Sequence, residues 1–296
     1  MVSPSARREA VGWLQTRGTS LRRACRVVGL STATWRYQRR ANPTNDRLLV
    51  RLQAHAAARS RFGYRRLLIL VGREGLAVNH KRLYRVYRAA GLQVRRRRRT
   101  RLTRGERVPL PAPSQRLERW SMDFTLDTLA DGRAFRTLNI VDDFTRQCVA
   151  IEVDRSLPGL RVVRVLDRLQ AAIGLPQTIV VDNGPEFAGR TLDAWAYRTG
   201  VTLRFIRPGK PIENAYVESF NGKFRDECLN EHWFVNLADA TTSIEAWRID
   251  YNSIRPHSSL DGATPDHFAT TTEGARRLPP ARLREEPKPE DPSLPA

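Results

Sequence analysis

Residues 120–129 read WSMDFTLDTL. Trp120, Met122, Phe124 and Leu126 alternate with Ser121, Asp123 and Thr125, the period of two that marks a β-strand with one face toward a core. Asp131-Gly132 follows as a hairpin turn, and residues 134–144 and 147–154 supply two further strands of an antiparallel meander. Asp123 falls in the middle of the first strand. Burying a carboxylate costs several kcal/mol unless it is paired or binds a metal, and no basic residue lies close by on that strand.

Downstream the pattern changes to α/β. Val162, Val165, Leu166 and Leu169 form the buried stripe of a helix over 159–173. An apolar strand over 178–181 ends at Asp182 and the turn Asn183-Gly184-Pro185, at the carboxyl edge where open α/β sheets place ligands. A helix over 192–198 and a strand over 201–206 complete five strands of mixed direction. Beyond Pro208-Gly209-Lys210-Pro211 a helix begins near Asn214. Val217, Phe220 and Phe224 define its packed side, Glu218 flanks that side, and Arg225 returns two turns after Glu218. Residues 115–275 therefore form the core, and the Pro-, Glu- and Arg-rich residues 276–296 a frayed tail.

Upstream the chain is basic and helical. The 296 residues carry 51 Lys and Arg against 31 Asp and Glu, a net charge of +20, more than solubility requires, which points to a polyanionic partner. Up to Arg119 there are 30 basic and 5 acidic residues, and beyond it 21 and 26, so a basic arm precedes a slightly acidic core. Residues 20–40 suggest a helix-turn-helix within 1–45. Leu21, Ala24 and Val28 line one helix, Gly29 ends it, and Ser31 caps a second that carries Arg36, Arg39 and Arg40 toward DNA.

A second helical pair occupies 46–94. Tyr64, Leu67, Leu68 and Val71 line its first helix, broken by Gly72 and Gly75. Asn79 caps the next, whose exposed side carries Lys81, Arg82, Arg85 and Arg88. Residues 95–114 open with Arg95, Arg96, Arg97, Arg98 and Arg99, a self-repelling run that reads as a linker ordered on phosphates.

Cys25, Cys148 and Cys228 are too far apart for a paired zinc signature and read as free thiols. No signal segment or membrane span is evident, so the expected location is the cytoplasm.

The 58 residues between Asp123 and Asp182, and the 35 between Asp182 and Glu218, mean little as spacings in a chain with 31 acids. Their positions, on two strands and a helix, carry the weight. Oxygen ligands collected from those elements suit two Mg²⁺ ions, one activating an attacking oxygen and one stabilising the leaving one. Arg225 and Lys223 would bind the DNA backbone beside them. Asp142 and Asp143 are candidates to support the site, while Asp127, Glu186 and Glu213 sit at turns or strand ends. His257, in YNSIRPHSSL, reads as structural, or as a group orienting a carboxylate or contacting DNA.

Six stretches carry a resemblance: RRACRVVGLS at 22–31, FGYRRLLILVGREGLAVNHKRLYRVYRAAGL at 62–92, WSMDFT at 120–125, VDNGPEF at 181–187, NAYVESFNGKFRDECL at 214–229 and YNSIRPHSSLDGATP at 251–265. In order and spacing the chain resembles the OrfB transposases of bacterial insertion sequences in the IS-three family, whose core is similar to that of retroviral integrases. The resemblance implies a ribonuclease-H-like mixed five-stranded sheet with flanking helices, preceded by small helical DNA-binding domains. It also implies Mg²⁺ or Mn²⁺ held by Asp123, Asp182 and Glu218. In that class, water or a DNA 3′ hydroxyl attacks a phosphodiester in line, with no covalent protein intermediate.

No zinc is expected, because the paired His and Cys motif of retroviral integrases is missing. The implied partners are double-stranded DNA, further copies of the chain on that DNA, and an OrfA protein whose helix-turn-helix and coiled coil are not evident here. The implied setting is the bacterial nucleoid. The competing readings are a non-catalytic DNA-binding regulator and a structure-specific nuclease on the same fold.

Overall fold

The computed structural model describes residues 3–37, 43–94, 111–207 and 214–271. The chain divides into two compact units, one ending at Val50 and the other starting at Arg51. The division falls inside helix α4 (Pro43–Ala58), whereas the sequence reading sets a linker at 95–114.

The first unit holds α1 (Pro4–Thr16), α2 (Leu21–Val28) and α3 (Thr32–Arg36) around Val11, Ala24, Cys25 and Leu30. Gly29 ends α2 at φ +65°, a left-handed position that glycine adopts without strain. Ser31 caps α3, its hydroxyl oxygen accepting the Thr34 amide at 3.0 Å. Helix α1, which the sequence pattern does not announce, is tied on by arginines: Arg7 donates to the Gly29 carbonyl at 3.0 Å and Arg8 to the Thr34 carbonyl at 2.8 Å. Helix α3 ends at Arg36, and Arg39 and Arg40 lie outside the described residues.

In the second unit, α5 (Tyr64–Arg73) and α6 (His80–Ala89) bury Leu67, Leu70, Val71, Leu83 and Tyr87. Asn79 caps α6 by accepting the Lys81 amide at 2.9 Å. The sheet comprises β1 (Arg119–Thr128), β2 (Ala134–Asp142), β3 (Cys148–Asp154), β4 (Thr178–Val181) and β5 (Thr202–Phe205). Its order is β3-β2-β1-β4-β5. The first three strands run antiparallel, and β1, β4 and β5 run parallel. This is the expected ribonuclease-H-like mixed sheet.

Helices cover both faces of the sheet. Trp120, Met122, Leu138, Ile140, Ile179 and Val181 pack with residues of α7 (Gly159–Ile173) and α8 (Arg190–Thr199). On the other face Phe135 and Val141 meet Val217, Phe220 and Phe224 of α9 (Ala215–Glu227) and Ala240, Ile244 and Tyr251 of α10 (Leu237–Ser253). Each such large apolar side chain contributes roughly 1.5–3 kcal/mol on burial. A short α11 (Pro265–Thr271) closes the described chain. Leu126, expected in the core by its alternation, is 57% exposed. Strand β4 pairs only with residues 119–121 of β1, so β1 outruns the layer that would cover Leu126.

Helix α5 and the turn before it are fastened to the core by charge. Arg66 reaches Glu227 at 2.8 Å, Arg61 reaches Glu231 at 2.9 Å, and Arg59 pairs with Asp250. Arg73 donates to the carbonyls of Ile254 and Gly262 at 2.5 and 3.0 Å. Among the described residues no helix is long and apolar enough to cross a membrane.

Candidate active site

Strand register explains how two carboxylates far apart in sequence become neighbours. Ser121 of β1 pairs in parallel with Val180 of β4. Carried two residues on, the same register sets Asp182 beside Asp123, on strands about 4.8 Å apart. Side chains alternate, and Ile179 and Val181 face α7 and α8. Asp182, of opposite parity to both, therefore shares with Asp123 the face that α9 covers.

Asp123 is half-buried, and both its oxygens are engaged. Oδ1 accepts the Phe124 amide at 2.8 Å and Oδ2 accepts the Asn221 side-chain amide at 2.7 Å. Asn221 in turn accepts from Asn139 at 2.7 Å, and Asn139 also donates to Thr125 at 2.9 Å. A chain of amides thus runs from the sheet across α9 to the carboxylate. Burial pushes the Asp123 carboxyl up to about 6, reinforced by the negative charges of Asp182 and Glu218 and opposed by the Phe124 and Asn221 hydrogen bonds. Asn221 escapes sequence reasoning as a site residue. The available signal was its position three residues after Glu218, on the same flank of a helix.

Glu218 lies in the first turn of α9, exposed, with Val217 beside it anchored in the core. Partial burial raises its carboxyl above the ordinary value. Among the described residues no three acidic, histidine or cysteine side chains converge closely enough to ligate one ion. Asp123, Asp182 and Glu218 share a neighbourhood without sharing a point.

The loop after β4 is held at several places. The Gly184 amide donates to Asp182 Oδ1 at 3.0 Å, and the Asn183 side chain donates to the Ile206 carbonyl at 2.9 Å. Arg136 pairs with Glu186 and lies over the Phe124 ring, which stacks on Phe187 at 4.8 Å. A Cβ on Gly184 would sit 2.9 Å from Asp182 Oδ1, so glycine is what lets the loop close around that carboxylate.

Other expectations resolve differently. Arg225 lies on the Glu218 side of α9 and donates to the Leu126 carbonyl at 3.2 Å. Lys223 does not join it: its ammonium donates to Ser219 at 3.1 Å on a different flank. Asp142 and Asp143 act at the start of β1 and not beside Asp123. Asp142 accepts from the Trp120 indole at 3.2 Å and the Leu117 amide at 3.0 Å. Asp143 pairs with Arg119 at 2.6 Å and accepts from Ser121 at 2.7 Å.

His257 is buried, with Nε2 donating to the Tyr251 carbonyl at 3.1 Å. Burial and nearby Arg255 hold it neutral, down to about 3, which is a structural role. Lys81, Arg85 and Arg88 are exposed on α6, Arg82 is half-buried, and Arg36 is exposed at the end of α3. Arg95 to Arg99 lie outside the described residues. All three cysteines are buried and free.

Comparison with known proteins follows the same plan. Residues 113–211 match one integrase core domain model and residues 199–265 a second, while residues 44–100 match an HTH-like domain. The insertion element IS407 uncharacterized 31.7 kDa protein of Burkholderia multivorans is 52% identical over 88% of this chain and 95% of its own length. The insertion element IS476 uncharacterized 39.2 kDa protein of Xanthomonas euvesicatoria is 47% identical over 90% of this chain and 78% of its own. The putative transposase InsK for insertion sequence element IS150 of Escherichia coli is 27% identical over 72% of this chain and 79% of its own. Relatives that agree along nearly the whole chain, a core that spans the mixed sheet and a helical segment ahead of it lead to one assignment: the chain belongs to the OrfB-type transposases of bacterial insertion sequences, in the IS-three family.

Proposed function

We propose that this chain cleaves DNA and transfers its strands, with Asp123, Asp182 and Glu218 as the catalytic carboxylates. The observation that carries this reading is electrostatic. Asp123 is half-buried beside two further carboxylates, and among the described residues the leading influences on it are burial, those two acids and the amide donors of Phe124 and Asn221. Excess negative charge of that kind calls for a positive ion. The donors are hard carboxylate oxygens, which suit Mg²⁺ or Mn²⁺ and leave no place for zinc's usual sulfur and nitrogen ligands. Divalent ions bound there, two in this reading, would activate the attacking oxygen and stabilise the charge on the leaving one.

The protein's own residues do the rest. Asn221 and the Phe124 amide fix both oxygens of Asp123, so this carboxylate is oriented before anything binds. The anchored loop does the same for Asp182. Glu218 is long and exposed, so its rotamers supply the travel that completes the set. Arg225, exposed on the same side of α9, is placed to hold a backbone phosphate near the reacting one. The exposed cations of α6, with Arg36, Arg39, Arg40 and the arginines at 95–99, would grip the duplex. In this reading the chain works as a multimer on DNA, with an OrfA partner.

The test is strand transfer in vitro with Mg²⁺ and DNA bearing the repeats that flank the gene, comparing the wild type with Asp182→Asn and Glu218→Gln. Loss of transfer in both variants, with DNA binding retained, is the expected result. Equal activity in all three would sink the catalytic assignment. A wild type that binds DNA but never cuts, even with OrfA supplied, would point to a regulator.

A further inference from the structure

Helix α9 presents a second charged flank that the reaction at Asp123 leaves unused. At about 100° per residue, Glu218, Asn221 and Arg225 share one side of the helix, whereas Tyr216, Ser219, Lys223 and Glu227 share another. A lysine four residues before a glutamate would ordinarily have that carboxylate as its partner. Here Glu227 is taken: Arg255 grips both its oxygens at 2.6 and 2.7 Å, and Arg66 adds a bond at 2.8 Å.

Among the described residues, Lys223 donates instead to the Ser219 hydroxyl, at 3.1 Å. Its leading charged neighbours are Arg255, Arg146 and Arg66, against the single carboxylate of Glu227. Burial and those guanidiniums hold its ammonium down at about 8. Arg146 lies over the Tyr216 ring at 4.0 Å, and Arg119, paired with Asp143, approaches the same ring at 5.3 Å. Arg66, Arg146 and Lys223 are all partly open to solvent. Lys223, partly dehydrated and set among more guanidiniums than carboxylates, is stabilised by an incoming anion.

We infer that Lys223, Ser219, Arg146 and Arg66 form a second phosphate seat, which takes a backbone phosphodiester of the DNA at a distance from the reacting one. The inference rests on DNA being the substrate and adds where its backbone lies. A phosphodiester strand suits the place because the carboxylate centre occupies the other side of the same helix, so one DNA molecule can meet both. Arg66 belongs to the segment matching the HTH-like domain, and Arg146 and Lys223 to those matching the integrase core. A strand in the seat would be gripped by both.

The test measures binding of a labelled random-sequence duplex to the full chain by fluorescence anisotropy, without divalent metal and across a series of salt concentrations. Lys223→Gln should weaken binding several-fold at low salt, equally for unrelated sequences, and should make the log–log salt slope shallower by about one. A second readout needs no variant. The sequence has four lysines, Lys81, Lys210, Lys223 and Lys288, and the duplex should protect Lys223 from acetylation, read by peptide mass spectrometry, with protection lost as salt rises.

An unchanged salt slope in a folded Lys223→Gln protein, or Lys223 acetylated equally with and without saturating DNA, overturns the seat. If the variant does not fold, the wild-type protection decides alone. Strand transfer measured in parallel separates the two readings. A chain that protects Lys223 yet never transfers strands refutes the transposase reading and keeps the seat. One that transfers strands with Lys223 indifferent to DNA does the reverse.

Discussion

Replacing Asn221 by alanine removes the amide that reaches Asp123 Oδ2 at 2.7 Å. Asn139, its other partner, keeps Thr125, so the fold should survive. A hydrogen bond to a charged acceptor contributes about 1.5–3 kcal/mol. Water recovers part of that at a half-buried carboxylate, leaving a loss of about 1.4 kcal/mol, or one pKa unit. The Asp123 carboxyl, already at about 6, then rises to roughly 7.

A proton and a divalent ion compete for the same oxygens. The Mg²⁺ concentration for half-maximal strand transfer should therefore rise roughly two-fold at pH 7 and roughly five-fold at pH 6, and meet the wild-type value above about pH 8.5. The assay is the transfer rate against Mg²⁺ at those three pH values, with thermal melting as the control for folding. Identical half-saturation at every pH would refute the argument. A loss independent of pH would show that Asn221 acts by some route other than the charge on Asp123.

Two stability predictions follow. Glu227→Gln leaves Arg255, 2% exposed, without its counter-charge, and should cost about 3–5 kcal/mol in urea unfolding; a midpoint unchanged from wild type would show that the cluster contributes nothing. His257 is held neutral down to about 3 against an ordinary 6.5, so below pH 6.5 the unfolded chain takes up a proton that the folded chain refuses, and stability falls with pH. Asp123 and Asp143, raised to about 6, tilt the profile the other way, so the readout is a difference between proteins. Between pH 7 and pH 5, His257→Asn should lose about 2 kcal/mol less than wild type, and parallel profiles would contradict the buried neutral ring.

What could be read in advance was local. The alternation of β1, the apolar stripe of α7, the caps at Ser31 and Asn79 and the glycine at 29 depend on residues a few positions apart, and each appears where the pattern puts it. Helix α10 gave no such signal, because its buried residues include Ala240 and Asn252 among many polar ones, and it is packing against β3 that makes one face internal. The pairs Arg66–Glu227 and Arg59–Asp250 join residues that no local pattern connects. Lys223 was misplaced for a geometric reason: closeness in sequence to Arg225 says nothing about direction when successive helical residues turn by about 100°.

The parallel register of β1 and β4 also separates what the chemistry needs from what the chain happens to contain. Asp123 and Asp182 are neighbours because their strands are neighbours, and the segment between them, with two hairpin strands and α7, only has to leave and return. Loops along that excursion are free to lengthen or shorten without moving either carboxylate. The interval of 58 residues is then a record of how this chain makes its crossover, and a protein with a quite different interval could hold the same pair of oxygens.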